Sequence, residues 1–526
     1  MNSKTQSRRF AKPGGKAASA AFSMSLLLGL AGCGGGDSSP ALSASTSAPA
    51  PSTLGQVENA GQATISTPTP APVLSSLDQA KAWLASTDAA FATSLPNKGT
   101  ERFRFRDSCY LNSGYSTAYL IKDYDDNLVQ RQQENAFVIG RSTTNVQMVA
   151  ERNSTNTDGT SRLEIDVTYD VIYKDGSSTI GESSTLVSGS TTGSCATPGT
   201  SAELRSLGDQ RMVSVTVQAR NIRTDNFSLT TGVAADTSTR RDIRFKVNDP
   251  ANVATYAIVT GPGPTGANGQ PFSFKLLSPR ILRNAPELAG KAGNMNWADT
   301  DTFRACRIVG TAVPVAEVAD CVGQGATGDR WGWGINSNVA DATAQKTGDD
   351  TFTSQGWIAG GSYSFAIYAD DGWKTVNGQA GKTPIALYTA TLKQLPYTFA
   401  QMFSATDPDF YPSFTSNLTT AQIAAQFKGI GGSVTLSGLQ ARAPAGGPIV
   451  ALSSLSQYGE GVNMGATNTY PRTFNSDSFY PGANATSGNV VIKGNDPETQ
   501  AKNFGSVSSN YSDRNGRVLI RNWEFF

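Results

Sequence analysis

Two short stretches carry residue types that could do chemistry. In Trp331-Gly332-Trp333, an extended backbone would send both indoles to one face, with the glycine leaving that face open. Such a platform can stack on the apolar C–H faces of sugar rings while nearby Asp and Asn side chains bond the hydroxyls. The alternative is that both rings fill a core. Asp370-Asp371-Gly372 offers adjacent hard oxygen ligands of the kind calcium takes, or else an ordinary Asp-Gly hairpin turn. Trp331, Trp333, Asp370 and Asp371 are therefore the candidate ligand-binding residues. Calcium is the one cofactor they could suit, and no metal site is assigned.

A third stretch is cationic. Arg102, Arg104 and Arg106 alternate with Phe103 and Phe105. On a strand this sets three guanidiniums opposite an aromatic face. That face could grip an anionic lipid or polysaccharide, or pair with carboxylates of a neighbouring strand. Acid pairs such as Asp299/Asp301 and Asp370/Asp371 have the residue type for glycosidase chemistry, which needs carboxylates roughly 5–10 Å apart across a cleft. No surrounding motif supports a cleft, and no catalytic residue is assigned.

What the chain lacks is more decisive. It contains no histidine, which removes the usual general base, metal ligand and neutral-pH switch. A Ser-His-Asp or Cys-His hydrolase cannot be built from it. Its 43 basic and 42 acidic side chains nearly cancel, which argues against nucleic acid as a partner, because phosphate binding needs a basic excess.

These residues need elements to position them. Leu77, Ala80, Leu84, Phe91 and Leu95 recur at three- and four-residue steps, predicting a helix from Ser76 to Leu95 with Ser76 able to cap it. The period then switches to two. Leu163, Ile165, Val167 and Tyr169 alternate with polar residues, as do Val213, Val215, Val217 and Ala219. Further short strands over Ile243–Val247, Thr255–Val259, Phe272–Leu276 and Tyr363–Ile367 are separated by Gly/Pro turns. The expected fold is mainly β, with three units: an N-terminal α+β domain over 76–235 (one helix on an antiparallel sheet), a central immunoglobulin-like β-sandwich over 236–400, and a small C-terminal β-rich domain over 401–526. Residues 34–75, dominated by Gly, Ser, Ala, Thr and Pro, form a disordered tether.

Ahead of that tether, Leu30-Ala31-Gly32-Cys33 follows a basic segment and a short apolar run. This order of parts resembles the signal peptide of bacterial lipoproteins. The resemblance covers residues 1–33 and implies that Cys33 is acylated and becomes the first mature residue. Gly34, Gly35 and Gly36 stand where an Asp favours inner-membrane retention, so the resemblance implies an outer-membrane lipid anchor, with the domains facing the periplasm or the surface. In such an exported chain the four remaining cysteines, Cys109, Cys195, Cys306 and Cys321, suggest two disulfides. Three pairings are possible; the sequential one, Cys109–Cys195 and Cys306–Cys321, is preferred. The stretch from Gly361 to Gly372 is also somewhat similar to a hairpin of PA14 domains, whose sugar-binding members hold calcium on adjacent aspartates. Taken together, the chain reads as an outer-membrane lipoprotein with a non-catalytic binding or structural role at the envelope, its ligand a glycan, a polymer or a protein. The alternatives are a histidine-free Asp/Glu glycan-active hydrolase and an accessory subunit of an envelope assembly.

Overall fold

The computed structural model describes residues 74–92, 95–107, 109–128, 140–155, 161–174, 178–188, 203–264, 272–281, 301–305, 332–337, 342–374, 378–403, 415–439, 450–462, 472–479, 485–492, 502–513 and 516–526. The chain is mainly β, with a few helices. Cys33, the tether, Cys195, Cys306, Cys321 and Trp331 lie outside the described residues, as does Asp299. No helix among the described residues is long and apolar enough to cross a membrane.

Helix α1 (Ser76–Ala90) begins where the Ser75 hydroxyl accepts from the Asp78 amide at 3.2 Å. The cap is thus one residue earlier than the pattern indicated, and the helix ends before Phe91. A short helix α2 (Gly99–Arg102), a two-residue hairpin of β1 (Leu111–Asn112) and β2 (Tyr115–Ser116), and helix α3 (Thr117–Asp126) follow. Then β3 (Ser142–Thr155), β4 (Ser161–Ile172), β5 (Ser178–Ser188) and β6 (Arg205–Gly208) form an antiparallel sheet in that order. The alternating row of β4 does what its period demands: Ile165 and Val167 are buried with Leu186 and Leu204 against Ala80 of α1. Helix on sheet is therefore the N-terminal arrangement. Gly208 lets the hairpin approach the sheet. Its φ is +77°, and a Cβ there would lie 2.4 Å from the Leu111 carbonyl oxygen.

The remaining strands are β7 (Ser214–Phe227), β8 (Ala234–Asn248), β9 (Tyr256–Gly261), β10 (Phe272–Leu277), β11 (Arg304–Ala305), β12 (Gly332–Ser337), β13 (Gly361–Tyr368) and β14 (Ala386–Leu392), then β15 (Thr415–Ser416), β16 (Gly432–Ser437), β17 (Val450–Val462), β18 (Arg472–Phe479), β19 (Ser487–Ile492), β20 (Lys502–Asp513) and β21 (Val518–Phe525). They build a five-stranded sheet ordered β11-β10-β9-β13-β14, a three-stranded sheet β15-β16-β19, and a seven-stranded sheet β12-β8-β7-β21-β20-β17-β18. In the last, β21 lies between β7 and β20, parallel to the first and antiparallel to the second. Arg521 of β21 reaches Asp225 of β7 at 2.9 Å across that parallel seam.

One face of the seven-stranded sheet serves two cores. Ile243, Phe245 and Val247 pack with Val259, Phe274 and Phe365 of the five-stranded sheet, so the two sheets face one another across an apolar layer. Further along, Leu519, Phe525 and Val507 pack with Val434 and Ile492 of the three-stranded sheet and with Phe427. Leu519 and Phe525 sit opposite Asn221 and Phe227 in the register, so the same side of β7 and β21 contributes to both. Polar groups mark the join. The buried Asn221 amide donates to the Tyr397 carbonyl oxygen and accepts from its N–H, both at 2.9 Å. Arg241 pairs with Asp349 at 2.7 Å.

This arrangement corrects the expected domain boundaries. The seven-stranded sheet takes β7 from the first expected unit, β8 and β12 from the second, and β17, β18, β20 and β21 from the third. Position 235 falls inside strand β8, within the β7–β8 hairpin. A hairpin's ladder cannot be divided between domains, so the units at 236–400 and 401–526 share a sheet with each other and with the end of the first.

Candidate functional site

The expected cation site is already filled by protein groups. Asp370 accepts from the Tyr256 hydroxyl at 3.0 Å and from the Gly372 amide at 2.7 Å. Asp371 is paired with Lys382 at 3.0 Å and lies 3.7 Å from Lys374. Lys382, then Lys374, hold the Asp371 carboxyl below its ordinary range. The buried Lys275 donates to the Gly372 carbonyl oxygen at 2.8 Å and sits 5.0 Å from the Tyr256 ring centre. The loop gathers three ammonium groups around two carboxylates, so a calcium ion would have to displace these protein partners. Among the described residues no group of three or more Cys, Asp or Glu could hold a metal. Trp333 lies on β12 opposite Ile243, so the tryptophan stretch is extended at its described end. Cys109 takes part in a disulfide, and its partner lies outside the described residues.

The arginine stretch is where the structure adds most. It is not a strand. Arg102 ends α2, a turn carries the chain through Phe103 to Phe105, and Arg106 touches the sheet by a single bridge to Ser206. The turn breaks the alternation: Arg104 is exposed over Phe105, while Arg102 and Arg106 line a cavity of about 140 Å³. The cavity opens between the small core under α1 and a second cluster that holds Tyr110, Leu120 and Phe103. Its apolar lining includes Trp83, Phe91, Phe103 and Phe105, and its polar lining includes Tyr110, Tyr169, Glu182, Ser184 and Ser206.

Three guanidiniums converge there. Arg141 is bonded to Asp88 at 2.6 Å, and Asp88 also accepts from the Thr143 amide at 2.8 Å. Arg102 and Arg106 have no carboxylate partner among the described residues. Instead they rest on rings. Arg106 lies between Phe103 and Tyr110, at 4.3 and 4.2 Å from their centres, and Arg102 sits 4.7 Å from the centre of Phe91. Burial, then Arg141 and Arg106, pull the pKa of Arg102 down; burial does the same to Arg106, with Arg141 adding to it. A guanidinium nonetheless keeps its proton at neutral pH. Burial raises the phenols of Tyr110 and Tyr169, which stay neutral hydroxyls. Two donors on the cavity wall, Arg106 Nη1 and Trp83 Nε1, are buried without a hydrogen-bond acceptor among the described residues. Such groups are costly to leave unsatisfied.

No protein-family model matches the chain, and no curated protein sequence does either. The site therefore rests on its own geometry. Sequence reasoning singled out Arg102 and Arg106 but missed Trp83, Arg141, Tyr169, Glu182, Ser184 and Ser206. One signal was present. Trp83 and Tyr169 sit on the core-facing rows of α1 and β4, and each carries a polar tip that a purely apolar core does not ask for.

Proposed function

We propose that this protein is a lipid-anchored component of the outer membrane whose folded part binds an anionic ligand without chemically changing it. The observation that carries the binding role is the pair of arginines, Arg102 and Arg106, set on aromatic rings at a cavity, with no carboxylate paired to either among the described residues. Fixed, desolvated guanidiniums are well suited to holding carboxylate or phosphate groups. The lipoprotein-like order of residues 1–33 supports the anchor, and the composition of 34–75 supports a tether that lets the site stand off the membrane. The five-stranded sheet facing β8 supports an immunoglobulin-like reading of the strands that lie within 236–400, and the disulfide at Cys109 supports an oxidising compartment.

The test is thermal unfolding of the full chain with a polyuronate, a polyphosphate and a neutral dextran. At least one polyanion raises the Tm of the wild type, dextran does not, and Arg106→Ala removes the rise. If no anion shifts the wild type, the binding role is wrong. For the anchor, Cys33→Ser moves the protein from the membrane to the soluble fraction; unchanged fractionation would overturn that part.

A further inference from the structure

The cavity's dimensions and its two kinds of polar lining narrow the ligand, on the assumption that the anion-binding role above holds. We infer that the site takes one acidic sugar residue: a hydroxylated ring with a single carboxylate, of the uronic acid class. Size is the first argument. About 140 Å³ is well under the roughly 300–1,000 Å³ of sites for drug-sized ligands. It admits a single ring, such as a chain end or a free monosaccharide, and not a stretch of polymer.

Charge is the second. Arg102, Arg106 and Arg141 face Asp88 and Glu182 across the same region, leaving one positive charge for the ligand to balance. A monoanion fits that balance, whereas a phosphate monoester carries close to two negative charges at neutral pH. Arg106, held between Phe103 and Tyr110, lines the cavity with a planar guanidinium, the kind of group that pairs with carboxylates.

The third argument is the opposite wall. Ser184 and Ser206 hydroxyls lie 2.9 Å apart, and Glu182 and Tyr169 line the cavity with them. Hydroxyls that both donate and accept, beside a buried carboxylate, match a ligand that itself bears several hydroxyl groups. The ligand's acid end goes to the arginines, and its hydroxyl face to Ser184 and Ser206.

The experiment is calorimetric titration of the full chain with D-glucuronate, glucose, acetate, inorganic phosphate and glutamate. Glucuronate is expected to bind at least tenfold more tightly than acetate or phosphate, and glucose not to bind measurably. Ser184→Ala, which removes one hydroxyl from the opposite wall, should weaken glucuronate several-fold, and Arg106→Lys should abolish it with the unfolding midpoint retained. If acetate or phosphate matches glucuronate, the sugar-acid assignment is overturned while the anion-binding role stands. If glutamate binds more tightly, Glu182 is receiving an ammonium group and the assignment is likewise overturned. If none of the five binds and the polyanions above also fail, both readings fall together.

Discussion

The Asp370–Gly372 loop and the arginine cavity are both dense in charge, and they differ in whether that charge is used up. In the loop, Asp371 meets Lys382 and Lys374, Asp370 meets a hydroxyl and an amide, and Lys275 ends on a carbonyl oxygen. In the cavity, Arg141 has Asp88, but Arg102 and Arg106 rest on aromatic faces and have no carboxylate partner among the described residues. The lesson is that a conspicuous cluster of like residues says little about binding until their partners are counted. The loop stabilises a turn. The cavity holds its cations at an energetic disadvantage, because burial disfavours their charged form.

The largest effect expected from this contrast is in pH. Burial lowers Lys275 to about 8, against 10.5 for the free side chain. Between those values the unfolded chain holds a proton that the folded chain has released, so stability rises with pH across that window. The gain should be about 3 kcal/mol. Urea midpoints at pH 7.5 and 10 should show it in the wild type and not in Lys275→Met; equal slopes in the two proteins would mean that the lysine is not held as described. Next in size is Asp370→Ala, which leaves the Tyr256 hydroxyl and the Gly372 amide without their acceptor. A loss of about 2 kcal/mol in unfolding free energy is expected, with no response of either protein to millimolar calcium. A calcium-dependent midpoint in the wild type would restore the loop as a cation site. The smallest effect on stability belongs to Arg106→Met. Replacing a buried, uncompensated charge by an apolar side chain of similar length should leave stability within about 1 kcal/mol of the wild type or raise it, while the anion-dependent Tm rise disappears. A loss of several kcal/mol would show that Arg106 holds the fold together and would erase the difference between the two regions.

Much of the secondary structure was legible because burial on one face imprints a period. Leu163 to Tyr169, Val213 to Ala219 and Tyr363 to Ile367 all lie in strands or at their edge, with Ile165, Val215 and Phe365 in cores. The helix under Ala80 and Leu84 was legible for the same reason. Period says nothing about which strands pair, however. That Val518 lies opposite Arg220 depends on closing a loop of most of the folded chain, and no local pattern encodes it; the domain boundaries failed on that point. The arginine stretch failed differently. Alternation of Arg and Phe reads as a strand, but Gly99 starts a helical turn whose close fit against Ile121 fixes the path, and tertiary packing overrides the local pattern. The cavity was illegible because its walls come from α1, from the 102–110 segment and from four strands, and only the fold brings them together.

Strand β21 has a consequence for how the protein comes into being. During synthesis the β7–β8 hairpin can form early, but it then waits with an open row of backbone donors and acceptors along β7. Its parallel neighbour β21 is made only after β9 to β20. Until it arrives, that border is available to any passing extended chain, and it is where a stalled molecule would first meet its neighbours.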